Sequence, residues 1–402
     1  RVRDQAQHRQ TVRVLCVGQT PPPVHGQALI IERVLNSELA GVDMSHVRMN
    51  FSQTIDDTGR FRLWKVLHLF RVIVLVLYQR FVHRPDVLYD PPAGPNRVPF
   101  YRDAAVLLST RWLFRKVVFH FHASGVSTLY PRLSWPERLV YRLAYFKPHA
   151  VIRSSPFTAE DGRFLQAKAE FIIPYGIPEV IDPTRVDNED GRSAEQLRSQ
   201  TIRPLHILFV GILRESKGPL VLIEACGQLA QAGIPFEAEF LGEFQTEEFR
   251  ARVESRVREL GIEQSIVFSG TLLGREKQAA YARADVFCFP TFYESEAFAL
   301  VVVEAMSSGL PVVGTRWRGL PSLISDGVNG YLVETHDATA VADRLIDLAN
   351  DPQKRAAMGR QGRQRYLERY THERYVADLA EMFQEVAGSA GVGSGNQAGE
   401  NR

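Results

Sequence analysis

A chain of 402 residues is too long for one ordinary hydrophobic core and suits two domains of common size. With 45% hydrophobic and 23% charged residues it has the composition of a soluble globular protein. Its three cysteines (Cys16, Cys226, Cys288) lie far apart in apolar segments, which excludes a disulfide framework or a cysteine metal site and reads as reduced core thiols of a cytosolic protein. Net charge is only +2, but residues 1–180 hold 24 Lys/Arg against 14 Asp/Glu while the remainder holds 24 against 32, so an acidic partner is expected at the N-terminal half.

Residues 1–10 are polar throughout and carry no signal-peptide pattern; with no initiator Met, residues before Arg1 remain an open expectation. The run T-V-R-V-L-C-V-G (11–18) predicts a buried strand ending in glycine, and Q-T-P-P-P-V-H-G-Q-A predicts a turn into a helix over about 27–35. Strand, glycine-bearing turn and helix is how α/β proteins approach phosphates, though no G-x-G-x-x-G is present, so the dinucleotide fingerprint is absent. Residues 61–83 mix basic with apolar and aromatic side chains. Lys65, His68 and Arg71 break the segment too early for it to span a bilayer. Two readings stay open: an ordinary domain helix with snorkelling basic residues, or a helix that touches an anionic membrane. A strand over 115–125 places His120 and His122 on one face near its carboxyl end, where open α/β sheets bind ligands. Two histidines could also ligate a metal, but no third ligand is nearby, and no metal is expected. Strands at 150–155 and 171–179 complete a first domain over 11–182, followed by a charged linker over 183–203.

P-L-H-I-L-F-V-G (204–211) restarts the strand–turn–helix pattern and opens a second domain, 204–370, with Lys217 in its first turn. Strands follow at 238–242 and 265–270, a helix at 276–284, and a buried strand at 286–290 ending in proline. The stretch E-A-F-A-L-V-V-V-E runs from Glu296 to Glu304, and Gly309 with Pro311 stops the helix it forms. A helix start directly after a strand offers free N–H groups and a partial positive charge to a phosphate, here from residues 297–300. Carboxylates on either side suit vicinal hydroxyls, which donate hydrogen bonds to them. Glu304 interrupts an apolar run from inside, an expensive position for an acid without a partner or a task. The alternative is a solvated loop acid at 296 and an exposed helix position at 304. Anion site plus diol-binding acids suggests a sugar nucleotide. A closing helix is expected over 371–387, and a Gly/Ser-rich disordered tail over 388–402.

E-x7-E followed by A-M-x-x-G-x-P-V-V resembles the retaining group 1 (family 4) glycosyltransferases, and further motifs follow in that family's order from about residue 12 to 375. The resemblance implies an α/β protein of GT-B fold: two Rossmann-like domains with parallel sheets facing across a cleft and a C-terminal helix returning to the first domain. It implies a metal-independent sugar transfer with no cofactor, the co-substrate being a UDP- or GDP-linked sugar. Carried over residue by residue, Glu296, His122 and Lys217 are the catalytic candidates. Gly26, Gly211, Arg214, Lys217, Ala297, Phe298, Ala299, Leu300 and Glu304 are the donor-binding ones. Glu304 is implied to hold the ribose, Glu296 the sugar hydroxyls, Lys217 the leaving diphosphate, and Gly26 and His122 to close from the first domain. The sequence departs from the pattern at His25, at Ile212 (where arginine is usual, leaving Arg214 as the substitute), at Tyr175, at Ser322, and at Ala297 and Ala299, where glycines are common.

The expected partners are the donor, a saccharide or lipid-linked acceptor of cell-surface polysaccharide or glycolipid assembly, and an anionic membrane, with no nucleic acid. The expected place is the cytoplasm, at the inner face of the plasma membrane. A sugar-nucleotide epimerase on the same fold and a non-catalytic sugar-nucleotide binder are the rival readings.

Overall fold

The computed structural model describes residues 11–22, 26–51, 63–92, 94–122, 125–157, 161–180 and 203–388. The predicted flexible start (1–10), the linker residues 183–202 and the tail from 389 lie outside the described residues, as does His25. The chain folds as two compact units. The first comprises residues up to Arg153, Ala159–Ile173 and everything from Val376 onward; the second comprises Ser154–Thr158 and Pro174–Tyr375.

The first unit alternates strand and helix: β1 (Val12–Gly18), α1 (Gly26–Leu35), β2 (Val42–Arg48), α2 (Leu63–Val82), β3 (Val87–Asp90), α3 (Arg97–Thr110), β4 (Lys116–Phe121), α4 (Trp135–Tyr145), β5 (Ala150–Arg153), α5 (Asp161–Phe164) and β6 (Ala169–Ile172). Helical crossovers force parallel pairing, and the sheet order is β2-β1-β3-β4-β5-β6. β1 buries every residue except Arg13, as a strand covered on both faces must. The expected strand at 171–179 is shorter and starts earlier. Its last bond to β5 is from the Ile173 amide to the Arg153 carbonyl at 2.9 Å, after which Ile177 makes an isolated bridge to Thr371 within the second unit. Helices α2, α3 and α4 form one layer on the sheet. Val72, Val76, Phe100, Ala104, Tyr141 and Tyr145 fill the core beneath them.

One buried acid of this unit has no counterpart in the sequence reading. Asp90, at the carboxyl end of β3, has an Oδ2 with no hydrogen-bond partner among the described residues. Burial pushes its carboxyl well above the usual range; Asp103 adds to the shift, and Arg102 and Arg111 oppose it. The native state therefore keeps a proton that the unfolded chain releases, and stability falls as pH rises through the window above the ordinary carboxylate pKa. Asp90→Asn is expected to flatten that fall. Urea midpoints at about pH 5 and about pH 7.5 check it, and an unchanged difference between the two would refute it.

The second unit runs β7 (Leu205–Val210), α6 (Pro219–Gln231), β8 (Phe236–Leu241), α7 (Glu247–Leu260), β9 (Ile266–Gly270), α8 (Gly274–Arg283), β10 (Val286–Phe289), α9 (Leu300–Ser307), β11 (Val312–Thr315), α10 (Leu320–Leu323), β12 (Gly330–Val333), α11 (Ala338–Asn350) and α12 (Pro352–Arg369). Its parallel order is β12-β11-β10-β7-β8-β9. Winding reverses between β7 and β10, so the loops leaving their carboxyl ends flank the crevice where doubly wound sheets bind ligands. Gly309, at φ +71°, ends α9 just before Pro311, as the sequence predicts. A last helix, α13 (His372–Gly388), begins in the second unit and continues into the first. There Phe383 packs edge-on against Tyr89 at 5.4 Å, and Gln384 Nε2 donates to the Ala40 carbonyl at 2.6 Å.

Candidate functional site

The reversal point of the second sheet gathers most of the predicted residues. Gly211 closes β7, and the turn after it leads through Arg214 to Lys217 and Gly218. The loop after β10 lies alongside: the Phe292 amide donates to the Ser216 carbonyl at 2.8 Å. Gly218 is what permits that approach. Its φ is +82°, and a Cβ there would lie 2.1 Å from the Pro290 carbonyl oxygen. Lys217 Nζ then reaches Glu296 Oε2 at 2.5 Å, with side chains only 17% and 8% exposed.

Tyr293 holds a second cation beside the first. The Arg214 guanidinium and the Lys217 ammonium each lie 4.7 Å from its ring centroid. Arg214 thus joins Lys217, while Ile212, at the position where arginine was expected, is half exposed. Tyr293 was not singled out from sequence; no local pattern shows that one ring receives two cations from another strand's loop.

Beyond Glu296 the chain turns into α9. The N–H groups of Ala297, Phe298, Ala299 and Leu300 have no acceptor among the described residues, which leaves a row of donors at the helix start. Ala297 and Ala299 stand where glycine is common, yet neither has a positive φ (Ala299 is at −83°), so alanine costs the loop nothing in backbone strain. Phe298 turns its ring inward, edge-on to Tyr175 at 5.3 Å and 6.0 Å from Tyr370. Tyr175, a departure from the expected motif, is therefore a prop for the donor-rich loop.

Glu304 lies one turn into α9, neither solvated nor alone. Lys277 Nζ donates to Oε1 at 2.7 Å and the Tyr281 hydroxyl to Oε2 at 2.8 Å. Burial and the carboxylate raise the Tyr281 phenol well above its usual value, so it stays a neutral donor. Both partners come from α8, and neither was foreseen. Their i, i+4 spacing shows that they share a helix face. It does not show that this face meets Glu304.

In the first unit, Gly26 opens α1 and is exposed. Asn50 and Arg48 at the end of β2 strap the preceding turn, with Asn50 Nδ2 donating to the Pro22 carbonyl at 2.6 Å and its Oδ1 accepting from the Thr20 amide at 3.1 Å. His122 follows β4 and stacks on His120 at 4.2 Å, so the two do share a face. His120 Nδ1 lies 2.6 Å from the Tyr89 hydroxyl, and burial, then His122, pull its pKa well below the ordinary value, leaving it neutral. Buried Asp161 accepts from the Gly125 amide at 2.9 Å and the Ser127 amide at 2.7 Å. Among the described residues no group of three His, Cys, Asp or Glu is placed to hold a metal ion.

Residues 194–365, which span this crevice, match the glycosyl transferases group 1 family. This part of the chain belongs to that family. The D-inositol 3-phosphate glycosyltransferase of Corynebacterium kroppenstedtii is 32% identical to the chain over 216 residues, 51% of this chain and 46% of that protein. The putative colanic acid biosynthesis glycosyltransferase WcaL of Escherichia coli K12 is 31% identical over 188 residues, 46% of each. The chain thus spans about half the length of the curated relatives it matches. Among solved structures, HepE of Anabaena in complex with UDP superposes with a TM-score of 0.68 at 18% identity, covering 93% of this chain and 100% of that one. Sucrose-phosphate synthase from Thermosynechococcus elongatus gives 0.69 at 19% identity, covering 93% and 99%. At such identities the likeness concerns the fold, and with the two parallel sheets it makes this chain a two-domain, Rossmann-like GT-B protein. In the group 1 glycosyltransferase unit, Lys217, Glu296, Glu304 and the α9 donors all lie within the matched residues.

Proposed function

We propose that this chain is a retaining glycosyltransferase that moves a sugar from a nucleoside diphosphate sugar to an acceptor hydroxyl. The observation that carries the reading is the Lys217–Glu296 pair beside the N–H groups of residues 297–300, which have no acceptor among the described residues, at the reversal point of the second sheet. Those amides bind the diphosphate, and Lys217, with Arg214 beside it, faces the charge that builds on the departing phosphate oxygen. Glu296 accepts from the sugar hydroxyls, and Glu304, braced by Lys277 and Tyr281, accepts from the ribose diol. In the transfer the bond from sugar C1 to the diphosphate oxygen breaks while the acceptor oxygen bonds C1 on the same face. The acceptor proton passes to the departing phosphate. Ammonium and helix start supply the electrostatics that a divalent cation would otherwise provide.

UDP is the first nucleotide to test, since HepE was solved with it. WcaL, a putative colanic acid biosynthesis glycosyltransferase, makes a saccharide or lipid-linked acceptor of cell-surface polysaccharide assembly the first acceptor class to test. The test is a panel of UDP- and GDP-linked sugars incubated with the purified protein and lipid-linked or saccharide acceptors. Release of nucleoside diphosphate with a glycosylated product of unchanged anomeric configuration supports the reading. Isomerised donor makes the chain an epimerase, and binding without turnover across the panel makes it a binder; either outcome overturns transfer.

Lys277 gives this reading a quantitative check. Its ammonium donates to the Glu304 carboxylate and holds it in place, an effect on donor binding before and during transfer alike. Lys277→Met is expected to raise donor KM about tenfold with kcat little changed. Initial rates at varied donor concentration measure it, and an unchanged KM would remove Lys277 from the site.

A further inference from the structure

The outer face of the α2–α3–α4 layer is apolar where a water-facing helix layer is ordinarily polar. α2 buries Val72 and Val76 against the sheet, yet its opposite side presents Leu67 and Phe70, each 68% exposed, followed by Val74, Tyr78 and Phe81. Spacings of three and four residues put these five on one helical face. α4 repeats the arrangement: Tyr141, Ala144 and Tyr145 point inward, while Trp135 (79% exposed), Leu139 and Leu143 form an i, i+4, i+8 stripe outward. α3 packs against both helices, so the two stripes belong to one layer on one side of the sheet. Contiguous exposed apolar side chains on this scale mark an interaction surface.

Charge identifies the occupant. Residues 63–84 contain Lys65, Arg71, Arg80 and Arg84 and no Asp or Glu. Arg138 and Arg142 stand exposed beside the α4 stripe, and the single acid of α4, Glu137, is tied to Ser134 and Tyr101. A second copy of the same face would set these cations against one another across a self-complementary interface. Anionic lipid headgroups neutralise them, while Trp, Tyr and Phe side chains suit the boundary between headgroups and acyl chains. No described helix is long and apolar enough to cross a membrane, so the contact is with one leaflet.

We infer that the paired outer stripes of α2 and α4 form a docking surface for an anionic lipid bilayer. The inference deepens the lipid-acceptor part of the proposed function, because it supplies the face that would rest on the acceptor's membrane. It does not depend on sugar transfer being the reaction. The test is cosedimentation of the full chain with vesicles of phosphatidylglycerol and phosphatidylcholine, or of phosphatidylcholine alone, at low and high salt. The expected result is at least tenfold stronger partition onto the anionic vesicles, weakening as salt rises. F70E/F81E and W135E/L139E should each reduce partition about tenfold, and both replace exposed side chains, so melting and UDP binding should match the wild type. Absence of wild-type binding to anionic vesicles at low salt overturns the proposal. So does a wild-type dimer in sedimentation velocity that both variants abolish without any vesicle binding, which would assign the face to a second copy. Vesicle binding with no turnover in the donor panel would leave this surface standing and defeat only the transferase reading.

Discussion

Replacing Lys217 with methionine is expected to lower kcat by about 10²–10³, a barrier increase of about 3–4 kcal/mol, which is the scale of losing one preorganised electrostatic donor. The same change strands Glu296, which has little access to water and would lose its ammonium partner. Breaking a buried pair from one side is costly by itself, about 3–5 kcal/mol of stability. The two effects separate in the double variant Lys217→Met/Glu296→Gln, whose neutral pair removes the stranded charge. Its melting temperature should return towards that of the wild type while turnover stays lost. Recovery of turnover together with stability would show that Lys217 only holds the loop in place. Lys217→Arg should not restore full rate either, because a planar fork replaces a compact ammonium packed over the Tyr293 ring.

Gly319→Ala should be nearly as damaging, for a reason that involves space and not backbone freedom. Gly319 has φ −75°, which any residue adopts. A Cβ there would lie 2.1 Å from the Ala297 carbonyl oxygen and 2.8 Å from its carbon. Both obstacles are backbone, so the loop that offers the α9 amides would have to shift. A loss of about 3 kcal/mol is expected, at the upper end for overpacking. UDP affinity should fall about tenfold or more as the amide row loses its alignment. Urea midpoints and titration calorimetry with UDP measure the two. Wild-type values in both would show that the loop at 296–299 can move without consequence.

Strands β1, β7, β8, β9 and β10 were legible as short apolar runs closed by glycine or proline, and parallel order followed from the helices between them; β2, β3 and β12 were not read from the sequence. Strand neighbours were not legible. Lys217 and Glu296 are 79 residues apart, and their contact exists because β7 and β10 lie side by side, a pairing set by the whole sheet. The sequence named each as a site residue; the sheet made them a pair. Glu304 was legible as an acid in an apolar run, but its partners Lys277 and Tyr281 read as an ordinary helix face. Tyr175 and Ile212 were visible only as departures from a pattern. Packing gives Tyr175 a function under Phe298, whereas Ile212 simply leaves its place to Arg214 over Tyr293. The length of the last strand of the first sheet was overestimated, since Tyr175 and Ile177, the apolar residues after Ile173, belong to the second unit.

The route of α13 has a consequence for how the chain comes off the ribosome. Phe383 and Gln384 complete the first unit against the Tyr89 ring and the Ala40 carbonyl, the latter lying 344 residues earlier in the chain. The N-terminal half therefore emerges early but lacks a piece of its own core until the second unit has already been made. It must wait, with the Tyr89 edge uncovered, through most of translation. A chain cut after α12 would damage the half that was finished first in sequence and last in structure.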